Sequence, residues 1–165
     1  MRGVPTGFWG KLREDPEGRV VEWHPLLAHC ADVAAVAESL LELPVWHQRA
    51  ARLAGIAALT AQDRARLCVM AALHDFGKLT IPFQAKGRKD LPCSRGGHVE
   101  PAIGAVCAND FAELFEPLGC FGVGAFGLLI SALAHHGKPL AAARAGHSSS
   151  PWSSQGGLES GQRAT

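Results

Sequence analysis

The sequence predicts an all-α fold, a helical bundle, from three observations. Alanine and leucine dominate the composition and tyrosine is absent, a bias that favours helix over sheet. Apolar residues recur at helical spacing along much of the chain, and no alternating apolar pattern is long enough to predict a strand. The 165 residues are 47% hydrophobic, which is enough for one domain with a buried core.

Five helices are predicted after an irregular entry segment that is rich in glycine and proline. The Thr60 and Asp63 pair has the form of a capping box, and Gly77 predicts the end of the helix that starts there. Pro25 is expected as the first residue of the first helix. The segment from Thr80 to Gly97 is predicted to be a long loop. The expected helices are Leu26–Leu41, Val45–Ala57, Thr60–Gly77, Val99–Phe115 and Gly122–His136.

The last part of the chain differs in composition from the rest. From Gly146 onward the sequence is rich in serine and glycine, has few apolar residues and shows no periodicity. Such a segment cannot bury enough surface to fold by itself. We therefore expect a domain at residues 1–145, with C-terminal truncation left open, and a disordered tail at residues 146–165.

Charge, cysteines and hydropathy restrict the class of protein. The net charge is +1, unlike that of a strongly basic nucleic-acid binder. The five cysteines include no C-x-x-C pair, which disfavours a cysteine zinc site and favours reduced thiols. The N-terminus lacks an apolar signal core, and glycines interrupt the apolar run from Cys120 to Ala134. We expect a cytoplasmic protein with no membrane contact.

The dipeptide His74-Asp75 is the central candidate for chemistry. Adjacent residues within a helix point about 100° apart, but at a helix end both side chains can reach one ion. An imidazole and a carboxylate together suit a borderline divalent metal. A capping aspartate beside a buried histidine is the simpler alternative.

Other histidines make a shared metal centre the better interpretation. His29 lies on the apolar stripe of the first helix, His98 stands at a helix start, and the pair His135-His136 closes another helix. Each one alone would more often be an ordinary core or surface histidine. The remaining three have weaker claims and are His24, His47 and His147.

Two further patterns allow more than one interpretation. Gly122-Val-Gly124-Ala-Phe-Gly127 fits the dinucleotide-binding motif, but no strand is predicted before it and the only later acid is Glu159, so we interpret these glycines as close helix packing. The stretch from Lys78 to Arg95, which covers most of the predicted loop, is strongly basic, with Asp90 as its single acid. It is either a solvated charged loop or a rim that follows phosphates. Its cations are Lys78, Lys86, Arg88, Lys89 and Arg95.

Four stretches in this order resemble a known family. They are Phe8-Trp-Gly-Lys11, then His24-Pro-Leu-Leu-Ala-His29-Cys-Ala-Asp-Val-Ala, then His74-Asp75-Phe-Gly-Lys78 with Pro82-Phe-Gln soon after, then His135-His136-Gly. Together they resemble the HD nuclease domain of the type I CRISPR-associated nuclease-helicase, within the HD superfamily of metal-dependent phosphohydrolases. The resemblance spans roughly Phe8 to Pro139.

The resemblance implies an HD-domain helical bundle with a two-metal site that cleaves single-stranded DNA in CRISPR defence. Two divalent metal ions are expected, with Mn, Fe, Co or Ni preferred over Mg or Zn. Carried onto this sequence, His29, His74 and Asp75 would hold the first ion. The second would be held by His98, His135 and His136, with Asp75 as a bridge between the ions.

The resemblance also implies further roles and partners. Asp75 and Lys78 would be the catalytic residues, with Lys78 steadying the phosphate or the developing charge. The expected partners are single-stranded DNA, a CRISPR surveillance complex, and a helicase module that is on a separate chain or missing from this fragment. The residues expected to bind nucleic acid are Lys86, Arg88, Lys89 and Arg95.

One departure from the family leaves alternatives open. The family's first metal usually has a further aspartate well downstream of the paired histidines, whereas the last aspartate here is Asp110. The alternatives are an HD phosphohydrolase acting on small nucleotides and an inactive, truncated metal-binding fragment. The cyclic-dinucleotide branch is disfavoured, because its Glu and Gly-Tyr-Pro continuation is replaced here by Gly137-Lys138-Pro139.

Overall fold

The computed structural model describes residues 2–108, 113 and 116–136. The described part is mostly helical, and it also contains one small antiparallel sheet of two strands. The expectation of an all-α fold is therefore correct for the bulk of the domain and wrong at its N-terminus. The predicted tail at residues 146–165 lies outside the described residues.

The sheet is a hairpin in place of the expected irregular entry segment. Its strands are β1 (Trp9–Glu14) and β2 (Val20–Pro25). The pairing register shifts twice along β1, and such irregularities break the strict alternation by which a strand is recognised in sequence. The turn between the strands is closed by Asp15, whose side chain accepts hydrogen bonds from the backbone N–H groups of Glu17 and Arg19.

The helices follow the hairpin in an order close to the predicted one. Pro25 is the last residue of β2 and precedes the first helix, so its expected place inside that helix is wrong by one position. The helices are α1 (Leu26–Glu42), α2 (Pro44–Leu53), α3 (Ala61–Ala72), a first 3-10 helix (Leu73–Leu79), α4 (Ile81–Gln84), α5 (Val99–Ala108), a second 3-10 helix (Glu116–Phe121) and α6 (Ala125–Leu133).

The start of α3 is confirmed and its predicted end is wrong. Asp63 N–H donates to Thr60 Oγ1 at 3.1 Å, and Thr60 N–H donates to Asp63 Oδ2 at 2.9 Å, which completes the capping box. The α-helix ends at Ala72, and the chain then tightens into the first 3-10 helix. Gly77 lies inside that tighter helix and does not terminate it. A 3-10 segment has three residues per turn, so His74 and Asp75 take directions that a continued α-helix would not give them.

Three other predicted segments are changed. The expected loop from Thr80 to Gly97 contains the short helix α4, and α2 ends at Leu53 rather than Ala57. The last predicted helix is shorter than expected and is α6, because Gly122 adopts a positive φ of 92° in the turn before it. The end predicted for the fourth helix at Phe115 and the stop at Gly137 lie outside the described residues.

The apolar core has two parts, and the candidate site lies between them. The larger part joins α3, the 3-10 helices, α5 and α6. The smaller part lies under the hairpin and consists of Trp9, Trp23 and Phe83, with Leu12 packed against it. Among the helices of the described residues, none has the length and apolar character needed to cross a bilayer.

Candidate metal centre

Asp75 lies at the centre of the cluster of histidines. Its side chain is 2% exposed, and its two oxygens face different partners. Oδ2 is 3.0 Å from Nε2 of His29 and 3.0 Å from Nε2 of His74. Oδ1 is 3.2 Å from Nε2 of His98 and 3.7 Å from Nε2 of His135. One buried carboxylate therefore links histidines from four different parts of the chain.

The described residues form two triads that could each hold a metal ion. His29, His74 and Asp75 form the first triad, and in it the ligand atoms lie within 4.8 Å of one another. The second triad meets the same criterion, with Nε2 of His136 at 3.3 Å from Nε2 of His98. Its members are His98, His135 and His136. All six residues proposed from the sequence as ligands are thus brought together, in the predicted groups.

Two glycines allow the backbone to come close to the histidines. A Cβ atom at Gly10 in β1 would lie 2.9 Å from Cβ of His29, so the hairpin packs directly on α1 at this point. A Cβ at Gly77 would lie 1.8 Å from the carbonyl oxygen of His98. That carbonyl oxygen accepts a hydrogen bond from the Ala102 N–H at 3.2 Å, at the N-terminal end of α5. Gly77 is therefore required for close approach rather than as a helix stop.

Backbone carbonyls orient two of the histidines. The Nδ1–H group of His74 donates to the carbonyl oxygen of Ala71 at 2.7 Å. The Nδ1–H group of His135 donates to the carbonyl oxygen of Ala132 at 3.0 Å. In a neutral imidazole this leaves the Nε2 lone pair free on the side of Asp75. A second hydrogen bond of this kind is what fixes metal-ligating histidines.

The polar atoms of the centre fit a divalent cation. Asp75 Oδ1 is buried, and among the described residues no donor has a suitable direction to hydrogen-bond it. A buried acceptor without a partner costs free energy. Nε2 of His74 and Oδ2 of Asp75 are both acceptors when the imidazole is neutral, yet they are 3.0 Å apart. A cation between the ligand atoms removes both problems, and the donor set of nitrogens with one carboxylate suits a borderline metal.

The electrostatics keep the carboxylate charged and two imidazoles neutral. Burial tends to raise the pKa of Asp75, but the neighbouring side chains of His74, His98 and Lys78, with the charge of Lys78, outweigh it and hold that pKa far below its usual range. Burial lowers the pKa of His29 and His135 despite the opposing charge of Asp75. Neutral histidine and ionised aspartate are the forms that bind metal.

Lys78 is directed inward rather than towards a substrate. Its Nζ lies 2.6 Å from Asp75 Oδ2 and donates to the carbonyl oxygen of Gly10 at 2.9 Å, and the residue is 6% exposed. The role expected for it, steadying a phosphate, does not fit these contacts. In this position the ammonium group balances the charge of Asp75 and ties the first 3-10 helix to β1.

The four cations expected to bind nucleic acid separate into two groups. Nζ of Lys86 lies 4.5 Å from the ring centroid of Phe83, whose ring contacts that of His98 with centroids 5.1 Å apart. Burial, then the charges of Lys78 and Arg95, lower the pKa of Lys86. The Phe83 contacts place Lys86 on the side of the second triad, and the Gly96 N–H, which donates to the Pro82 carbonyl oxygen at 2.9 Å, holds the backbone after Arg95 against the same short helix.

The other two cations line a different surface. Arg88 and Lys89 border a cleft of about 890 Å³ between the loop and the N-terminal residues 3–6. Arg88 is paired with Asp90, with the Nη2 atom of Arg88 2.8 Å from Oδ2 of Asp90. None of the six candidate ligands lines this cleft.

The three histidines with weaker claims lie in different places. His24 is next to the centre: its Nε2 is 2.8 Å from Asp32 Oδ2, and its ring centroid is 6.3 Å from that of His29. His47 accepts the Leu59 N–H at 3.2 Å and so joins α2 to the next loop. His147 lies outside the described residues.

The residue that sequence reasoning missed is Gln84. It appears in the stretch that carries the family resemblance, but no role was predicted for it. In the structure it is 2% exposed and its side-chain amide makes three hydrogen bonds to the backbone. The available signal was a long polar side chain directly after the apolar Ile81-Pro82-Phe83.

Neither the glycine motif nor any of the four cysteines whose side chains the structure describes supplies a candidate ligand to the centre. A Cβ at Gly122, Gly124 or Gly127 would meet nothing within 4 Å among the described residues, so the interpretation as close helix packing is wrong. A 3-10 helix, not a strand, precedes the motif.

Burial and the charge of Asp75 raise the pKa of the Cys30 thiol to about 11, which keeps it protonated beside the first triad.

Comparison with known proteins gives one match. The family model described as "Cas3, HD domain" matches residues 9–163, which is nearly the whole chain. No curated protein matches the sequence. No solved structure matches it.

Proposed function

The chain belongs to the family of Cas3 HD domains, and on that premise we propose that it is a nuclease domain that hydrolyses the phosphodiester bonds of single-stranded DNA. Membership of this family implies a metal-dependent nuclease role in CRISPR defence. The single-stranded substrate, the individual ligands and the preference for Mn, Fe, Co or Ni are the finer parts of the proposal.

The observation that carries the proposal is the position of Asp75 between two triads. Each of its oxygens faces a different set of imidazoles, at 3.0 Å on one side and 3.2 to 3.7 Å on the other. A carboxylate shared in this way suits a pair of ions held close together. Divalent ions bound there would activate a water molecule and neutralise charge on the phosphate that it attacks.

The protein's own residues prepare this chemistry. Asp75 supplies the single buried negative charge of the cluster, and Lys78 keeps it ionised through a contact of 2.6 Å. Carbonyls that accept from Nδ1 of His74 and His135 aim both rings at the centre. Because the ligands are held before substrate arrives, little reorganisation is needed during the reaction.

The exposure of the two triads indicates where a DNA strand enters. The side chains of His29, His74 and His98 are 11%, 13% and 12% exposed, whereas that of His135 is 29% exposed and His136 is an exposed residue. The phosphate therefore approaches the second triad from the side of His135 and His136, with Lys86 and Arg95 on the neighbouring loop. The helicase module and the surveillance complex remain predictions that come from the family resemblance alone.

The test is a cleavage assay on the full chain. Single-stranded DNA, duplex DNA and mononucleotides are each incubated with the protein and with Mn²⁺, Co²⁺, Ni²⁺, Mg²⁺, Zn²⁺ or a chelator. We expect cleavage of single-stranded DNA that needs a divalent ion and that is lost in Asp75→Ala. Among the described residues, that variant removes the one carboxylate that lies between the triads, and two cations bound there would face each other without it. Glu42→Ala, which removes an exposed carboxylate at the end of α1, serves as the control and retains activity.

Three results would overturn the proposal. Cutting of single-stranded DNA by Asp75→Ala at the parent rate would remove Asp75 from the mechanism. Hydrolysis of mononucleotides without cleavage of DNA would favour the small-nucleotide phosphohydrolase. Metal binding with no hydrolysis of any substrate would favour an inactive metal-binding fragment.

A further inference from the structure

Gln84 at the end of α4 pairs with the backbone of Trp9 as a neighbouring strand would. Its Oε1 accepts the Trp9 N–H at 3.0 Å, and its Nε2 donates to the Trp9 carbonyl oxygen at 3.0 Å. The Gln84 carbonyl oxygen also accepts the indole N–H of Trp9 at 3.1 Å. In a hydrogen-bonded pair of residues on antiparallel strands, each residue likewise donates through its N–H and accepts through its carbonyl oxygen. The N–H and C=O groups of Trp9, which stands opposite Pro25 of β2, are therefore both bonded to the side chain of Gln84 at the end of α4.

The same amide also reaches the residue that contacts Asp75. Nε2 of Gln84 donates a second hydrogen bond, to the carbonyl oxygen of Lys78 at 2.6 Å. Nζ of Lys78 in turn donates to the carbonyl oxygen of Gly10, which follows Trp9 directly. The hydrogen bonds thus form a closed circuit from Gln84 through Trp9 and Gly10 to Lys78 and back. Every member of the circuit is buried.

We propose that Gln84 is a positioning residue for the metal centre, acting through Lys78 and the hairpin. It sets the distance between Gly10 and Lys78, and so it keeps the ammonium group on Asp75. Gly10 packs on His29 with no room for a Cβ atom, so a shift of β1 would also move a candidate ligand. The proposal rests on the proposed function in assigning metal to the centre, but the circuit itself does not depend on metal.

The chemistry of the side chain explains why glutamine is needed here. The circuit uses one acceptance and two donations, and a carboxamide supplies both donations from its NH₂ group while its oxygen accepts, whereas a hydroxyl group or a neutral imidazole has a single donor. Glutamate in its ionised form could accept from Trp9 N–H but could not donate to either carbonyl. A side chain without the amide would leave three buried backbone groups without this partner, at a cost for each of them.

The experiment compares Gln84→Met with Leu12→Ala. Methionine keeps a similar length without the amide, whereas Leu12→Ala loosens packing of the same small apolar cluster and leaves the circuit intact. Two readouts apply to each purified full chain. Lysine acetylation of the protein in chelator, followed by mass spectrometry, reports the accessibility of Lys78 relative to the exposed Lys89. Titration with Co²⁺ reports metal affinity and the visible absorption of bound Co²⁺.

In Gln84→Met we expect acetylation of Lys78 to rise towards that of Lys89. Affinity for Co²⁺ should fall by roughly 10–100-fold, as for other residues that orient metal ligands. In Leu12→Ala the melting temperature falls, but Lys78 stays protected and the Co²⁺ spectrum is unchanged. If Gln84→Met does not fold, Gln84→Glu takes its place, with the same expected result because both donations are removed.

Continued protection of Lys78 in the Gln84 variant, with parental Co²⁺ affinity, would overturn the inference. The inference would also be overturned if Leu12→Ala raised the acetylation of Lys78 and lowered the Co²⁺ affinity as much as the Gln84 variant. Gln84 would then contribute only to general stability. A parent chain that binds no Co²⁺ would contradict the proposed function, and the acetylation result would then decide the role of Gln84 by itself.

Discussion

Asp75 carries a charge in a place where a charge is costly. A carboxylate at this depth is tolerated only if hydrogen bonds and opposite charges replace its water. Lys78 and the surrounding imidazoles supply that replacement on the Oδ2 side, while Oδ1 receives no well-directed hydrogen bond among the described residues. The incomplete satisfaction of Oδ1 is hard to explain in a purely structural aspartate, and a metal ligand explains it directly.

The lowered pKa values of two histidines predict how metal affinity depends on pH. As metal ligands, His29 and His135 would bind in the neutral form, and burial lowers the pKa of each below the ordinary value of 6.5. Their neutral forms therefore persist as the pH falls through 6.5. We expect Co²⁺ affinity measured by calorimetry to stay nearly constant from pH 8 to about 6.5 and to fall only at lower pH.

The lowered pKa values of His29 and His135 also determine whether the metal-free protein becomes more or less stable as the pH falls. A histidine whose folded pKa is lowered contributes stability that is present above the unfolded value and is lost as pH falls from there towards the folded pKa. Asp75 adds a second loss of stability at lower pH, below the ordinary aspartate range.

The prediction for metal affinity has a clear contradicting result. A Co²⁺ affinity that declined already between pH 8 and 7 would show that the imidazoles are not held neutral in this way.

At the scale of elements, the first 3-10 helix decides the geometry of the centre. Helical periodicity and the capping box correctly predicted α3, but periodicity cannot distinguish a continued α-helix from a tightened last turn. The change of helix type at Leu73 depends on packing against α5, where Gly77 meets His98. That contact joins residues far apart in the sequence, so no local pattern predicts it.

The hairpin was missed for a related reason. Within β1 and β2 the buried residues are Trp9, Gly10 and Trp23, too few to give a period-two pattern. The strands are held instead by long-range partners such as Gln84. The candidate ligands could be proposed from the sequence because histidine in a core-facing position is unusual and because their order resembles a family. The inward direction of the Lys78 side chain could not be predicted from the sequence, because it depends on the Gly10 carbonyl in the hairpin.

The division of the basic residues predicts two different effects of charge reversal. Changing Lys86 and Arg95 to Glu should weaken binding of single-stranded DNA and lower its salt dependence, by roughly 0.7 in the log–log slope for each DNA phosphate that is no longer neutralised. The matched control changes Arg88 and Lys89 to Glu. Arg88 and Lys89 line the separate cleft, and Arg88 is already paired with Asp90. Reversing their charges should therefore weaken DNA binding, and lower its salt dependence, less than reversing those of Lys86 and Arg95. Binding measured by fluorescence anisotropy across a salt series gives both slopes.

Equal slopes for the two double variants would show that the loop acts as one surface. An unchanged slope in the Lys86 and Arg95 variant would assign those two charges to simple solvation. Either result would remove the argument that the strand enters beside the second triad.

At the scale of the whole molecule, the centre depends on the complete fold. Its residues come from α1, the first 3-10 helix, the start of α5 and the turn after α6, and the hairpin covers them from one side. Phe83 of the smaller apolar cluster contacts the ring of His98, with centroids 5.1 Å apart, and Phe76 of the larger cluster follows Asp75 directly. Metal binding to such a centre stabilises only the folded chain, so metal affinity and folding stability are expected to change together.

The most direct test of the central claim is to locate bound metal in a crystal of the full chain soaked with Mn²⁺, using anomalous scattering. We predict two peaks about 3.5–4 Å apart, one against His29 and His74 and the other against His98, His135 and His136. Asp75 should contact both. Peaks that avoid Asp75, or a single ion held by other residues, would contradict the assignment of Asp75 as the bridge between two metals.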